Sequence, residues 1–153
     1  MGNNAGWWGV TISEPKGDGP IWRAENVSHM TGDENKGKHN VYINAYVGNV
    51  DVRDLPVADR PVVVVGWAVQ AAGAAAAPVL FDKPLGEWGT NVPIFAGQEL
   101  SVTLLCPTGK YAGSRSETVA GLSTGFQSDA PGNSLGHHSF TIVFVLKEQP
   151  ALP

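Results

Sequence analysis

Glycine and proline punctuate this chain at intervals too short for long helices. Nineteen glycines and eleven prolines, about a fifth of the 153 residues, fall between short apolar runs. In a helix interior glycine costs about 1 kcal/mol and proline about 3 kcal/mol relative to alanine, so a helical bundle or coiled coil is excluded. The runs between the breakers read as strands, at residues 8–12, 21–30 (with a bend expected), 39–47, 61–69, 79–81, 91–95, 100–106 and 139–146. Val41, Ile43 and Ala45 point one way and Tyr42, Asn44 and Tyr46 the other. Likewise Phe140, Ile142, Phe144 and Leu146 share one face, and Thr141, Val143 and Val145 the opposite one. The run 61–69 is apolar throughout, as expected of a strand buried on both faces with Trp67 in the core. The alanine-rich stretch after it is interrupted by Gly73 and ended by Pro78, so it reads as loop.

Turn chemistry separates the runs, as in Gly17-Asp18-Gly19-Pro20, Gly48-Asn49 and Asp82-Lys83-Pro84. Seven or eight strands without crossover helices predict an all-β fold: an antiparallel β-sandwich, immunoglobulin-like or jelly-roll, with little or no helix. The length suits one domain. The sandwich is expected over residues 9–147, between a polar, glycine-rich N-terminal arm (1–8) and a short C-terminal tail (148–153).

Charged residues make up only 16% of the chain, against roughly 25% in an ordinary soluble protein, and the net charge is −4. No basic stripe is present, which argues against a nucleic-acid partner. The longest apolar stretch, 61–78, is broken by Gly66, Gln70 and Gly73 and falls short of a membrane span. The first six residues lack the basic start and apolar core of a leader peptide, so synthesis in the cytoplasm is expected. Cys106 is the only cysteine and lies in an apolar run, which makes a buried, inert thiol the expected reading.

Motifs for catalysis are weak. Gly121-Leu122-Ser123-Thr124-Gly125 matches a nucleophile elbow by letter, with Asp129 and His137 following. That chemistry needs a strand before the serine and a helix after it, and the segment reads as one glycine-rich loop. No catalytic residue is therefore assigned. His137 and His138 face opposite ways on a strand, so at most one could join His39 in a metal site. Structural hydrogen bonding is the expected role of these histidines, and neither a metal nor a cofactor is expected.

The tryptophans carry more information. Trp7 and Trp8 are adjacent, so one packs inward and the other must go elsewhere, which nominates this arm as a partner anchor. Trp88 lies in the turn-rich Leu85-Gly86-Glu87-Trp88-Gly89-Thr90-Asn91. Beside Glu87 and Asn91 it is a platform for a sugar ring, a hot-spot anchor for a protein, or a plug for one end of the sandwich.

At Gly32-Asp33-Glu34-Asn35-Lys36-Gly37-Lys38-His39-Asn40-Val41-Tyr42, Gly66-Trp67, Phe81-Asp82-Lys83-Pro84 and Gly136-His137-His138-Ser139-Phe140 the chain resembles a known group. These are small immunoglobulin-like β-sandwich modules of phage structural proteins and of phage- or cell-wall-associated proteins. The resemblance spans about residues 20–146 and implies a non-enzymatic unit that decorates a particle or docks onto a surface. Unlike the appended modules, this chain is expected to stand alone, with no hydrolase attached, which favours a self-contained virion component.

The expected function is thus a phage virion surface subunit, a capsid decoration or fibre-associated protein. It would bind a protein scaffold through Trp7 and Trp8 and form a homo-oligomer. The other reading is a carbohydrate-binding module for cell-surface glycans, with Trp88 and Tyr111 stacking and Asp33, Glu34 and His39 hydrogen-bonding.

Overall fold

The computed structural model describes residues 2–30, 39–69, 78–95, 97–124 and 138–148. Their strands in chain order are β1 (Gly2–Asn3), β2 (Thr11–Ser13), β3 (Ile21–Met30), β4 (Asn40–Val47), β5 (Val50–Asp51) and β6 (Val62–Val69). There follow β7 (Val79–Leu80), β8 (Thr90–Pro93), β9 (Glu99–Leu105), β10 (Arg115–Ser116), β11 (Thr118–Ser123) and β12 (Ser139–Lys147). Helix is confined, among the described residues, to the 3-10 turns Asn4–Trp8, Val52–Asp54 and Val57–Asp59. The fold is an all-β sandwich.

One sheet runs β1-β3-β12-β4-β5, with β10 also on β3 and β8 also on β4; the other runs β2-β11-β9-β6-β7. The five-stranded sheet is antiparallel throughout, as expected. The seven-stranded sheet is mixed, because β12 inserts between β3 and β4, antiparallel to the first and parallel to the second. Its inner face contributes Trp22, Ala24 and Val27, Val41, Ile43 and Ala45, Val92, and Phe140, Ile142 and Phe144 to the core. Val63, Leu100, Val102, Leu104, Val119 and Leu122 meet them from the other sheet. The alternation read in β4 and β12 is the burial pattern observed. The bend expected in β3 is a bulge: Val143 pairs with Asn26 but Phe144 with Ala24, so Glu25 is skipped.

Three expectations need correction. The strand β6 is not buried on both faces: Val64 is 37% exposed because a sandwich covers one face of each sheet, while Trp67, on the inward side, packs partly buried against the core. The strand expected at 8–12 is β2 and begins only at Thr11, since Gly9 adopts a left-handed φ of 81° and ends the preceding turn. Residues 2–8 also lie along the sandwich rather than reaching away as an arm. Gly2 and Asn3 pair in parallel with Asn26 and Val27, Ala5 is buried, and Asn4 Oδ1 accepts the His29 backbone N–H at 3.2 Å.

Candidate functional site

The outward face of β4 and β8 forms a cleft. Tyr42 and Asn91 sit opposite each other in the ladder between these strands, so their side chains share the solvent face. The β7–β8 loop adds Lys83, Glu87 and Trp88, enclosing about 220 Å³. The rings of Trp88 and Tyr42 form two walls, with centroids 6.4 Å apart and planes inclined by 42°. Asn91 Nδ2 donates to Asn40 Oδ1 at 3.1 Å, and Asn40 Nδ2 donates to the Tyr42 hydroxyl at 3.2 Å. This chain fixes the amide and the phenol in orientation.

The loop itself is clamped. Arg53 Nη1 donates to the carbonyls of Lys83, Pro84 and Glu87 at 3.1, 2.7 and 3.0 Å. Its Nε and Nη2 grip the two Asp51 carboxylate oxygens at 3.0 and 2.8 Å. Both side chains are largely buried, at 8% exposure for Arg53 and 14% for Asp51. Burial alone would push the Asp51 carboxyl up, but the Arg53 hydrogen bonds and charge outweigh it and hold Asp51 below its usual value. From the other side, Gly89 N–H donates to Asn44 Oδ1 at 2.5 Å, and Lys83 N–H to the Gly89 carbonyl at 3.2 Å. Gly89 has no room for a side chain, since a Cβ there would press on Phe81 at 2.8 Å.

Of the described residues grouped in the glycan reading, only Trp88 lines this cleft, joined by its sequence neighbours Glu87 and Asn91. Tyr111 lies in the turn after β9 and lines a separate cavity of about 340 Å³ with Pro20, Lys110 and Glu148. His39 precedes β4, with Nδ1 at 3.0 Å from the Ile94 carbonyl and its ring against Phe95. Asp33 and Glu34 lie outside the described residues. Sequence reasoning missed Tyr42 and Lys83, which only strand pairing and the loop's return bring to Trp88. It also missed the Asp51–Arg53 clamp, whose one sequence signal is an aspartate two residues before an arginine, where it caps the Val52–Asp54 turn.

The N-terminal tryptophans divide as anticipated between inward and outward. Trp7 is 95% exposed. Trp8 stacks on His29, with centroids 3.9 Å apart and planes 16° from parallel, and His29 Nε2 lies 2.6 Å from Nδ1 of the buried His138. One imidazole donates to the other, so His138 partners His29. His137 lies outside the described residues, and among those residues no group of three or more His, Cys, Asp or Glu could hold a metal.

Ser123 is not a loop residue but the last residue of β11, while Asp129 and His137 lie outside the described residues. Cys106 is buried, and desolvation raises its thiol pKa against weaker opposing hydrogen bonds from Ser114 and Trp22. A thiol so placed is a poor nucleophile.

The outer face of the five-stranded sheet is the second notable surface. Its strands β2, β6, β7, β9 and β11 carry one ionisable side chain, Glu99. Val64 pairs with Thr103 at its centre and Val62 with both Leu105 and Leu80, so the exposed face is small, apolar or hydroxylated. Comparisons of the chain with protein-family models, with curated proteins and with solved structures find no match.

Proposed function

We propose that this chain is a non-enzymatic structural and interaction protein, a β-sandwich subunit on the surface of a phage virion as a capsid decoration or fibre-associated component. The observation that carries the reading is the nearly ion-free outer face of the five-stranded sheet. Burying such a face against neighbouring subunits strips water from almost no charges, so association there costs little desolvation. The exposed Trp7, held on a turn whose Asn4 side chain accepts the His29 N–H of β3, supplies a rigid aromatic anchor for a scaffold protein. The virion setting rests on the resemblance carried by residues 32–42, 66–67, 81–84 and 136–140.

Sedimentation and cross-linking test the reading. The purified chain should run as a trimer or larger assembly, and Val64→Lys should disperse it while the circular dichroism spectrum stays that of wild type. A wild-type monomer, or an assembly indifferent to a lysine at Val64, overturns it. The anchor is probed with Trp7→Ser rather than by deleting residues 1–8, because that deletion would also remove β1 and the buried Ala5.

A further inference from the structure

We propose that the cleft of Tyr42, Lys83, Glu87, Trp88 and Asn91 is a saccharide site that takes one neutral pyranose ring of a longer glycan. The inference concerns a different face from the one on which the assembly reading rests, and it stands or falls separately.

Size comes first. The cleft holds about 220 Å³, below the roughly 300–1,000 Å³ of pockets that enclose a drug-sized ligand. It therefore accommodates a single ring and leaves the rest of a chain in solvent. A peptide or protein partner would need a larger contact area than this recess provides.

Chemistry comes next. A pyranose has an apolar face of axial C–H groups and a rim of hydroxyls, each able to donate and accept. Inclined Trp88 and Tyr42 rings offer π faces to such C–H groups. The rim would meet hydrogen-bonding capacity that the protein does not use for itself. The Trp88 indole N–H, the Glu87 carboxylate and the Lys83 ammonium form no hydrogen bond or ion pair among the described residues. Asn91 commits its amide nitrogen to Asn40, which orients its carbonyl oxygen as an acceptor. The one positive and one negative lining side chain offset each other, so the site selects against a charged ring.

Preorganisation is the third line. A loop that must order itself on binding loses affinity to that ordering. Here three of the five lining residues ride on a loop already fixed by Arg53 from within and by Asn44 from β4.

The test uses the whole protein and hexasaccharides of glucose, mannose, galactose and N-acetylglucosamine as probes, read by the indole N–H signals of the five tryptophans in NMR. At least one hexasaccharide at millimolar concentration should shift the Trp88 signal saturably and leave that of Trp7 in place. Asn91→Ala should weaken the affinity several-fold, and Trp88→Ala at least tenfold, both with a wild-type circular dichroism spectrum. The proposal is overturned if no hexasaccharide moves the Trp88 signal, or if Trp88→Ala binds as wild type does. It is equally overturned if the Trp88→Ala substitution changes only the size of the assembly, which would make the cleft a protein contact. None of these results depends on whether Val64→Lys disperses the protein.

Discussion

Asp51 and Arg53 show how far one residue pair can reach. The guanidinium spends two nitrogens on the carboxylate and the third on three carbonyls of the Trp88 loop. Lysine, a point charge with no planar fork, could not make this set. Because Asp51 titrates lower in the folded than in the unfolded chain, its contribution is full above the unfolded value of about 3.9 and drains away as pH falls through the folded value. Asp51→Asn should therefore cost about 2 kcal/mol at neutral pH. The gap from wild type should narrow as thermal unfolding is repeated at pH values below about 4; a gap independent of pH would refute the assignment. Parts of the cleft were legible at this scale. Trp88 announces itself because Glu87 and Asn91 stand beside it in an evident turn. Arg53 does not, since its role is defined by carbonyls some thirty residues away.

At the scale of elements, legibility followed period. A side-chain alternation of two reports burial directly, so β4 and β12 could be assigned face by face. Pairing partners leave no such local trace, and nothing in 139–147 announces a parallel neighbour in β4. β11 was hidden because Gly121 and the nearby Gly125 read as loop, whereas Gly121 sits at a bulge between β11 and β9. It has φ +80°, and a Cβ there would strike the Gly9 carbonyl oxygen, where the chain crosses from the edge of one sheet to the other. Gly121→Ala should cost about 2–4 kcal/mol, adding overpacking to left-handed strain. Gly9→Ala, with φ +81° but open space around its Cβ, should cost only about 1–2 kcal/mol. Urea denaturation of the two variants decides it, and equal losses would count against the close approach.

Across the whole molecule, charge is divided between the sheets. Arg23 bridges Glu14 and Glu117, and Lys147 pairs with Glu25, all around the seven-stranded sheet. The five-stranded sheet keeps Glu99 alone. Its edge strands, β2 and β7, have only three and two residues, a length that blunts edge-to-edge pairing and leaves association to the face. Assembly through that face should be insensitive to ionic strength and show a negative heat-capacity change in dilution calorimetry. Strong weakening by salt would point instead to the charged sheet. The position of β12 between β3 and β4 has one more consequence, for how the protein is made. While a ribosome is still translating, β3 and β4 emerge early but have nothing to hold them together. The seven-stranded sheet stays split down its middle, with two unpaired edges, until residue 147 has cleared the exit tunnel. Closure of the sheet is thereby a late event, and nascent chains that lack β12 leave both edges open to wrong pairing.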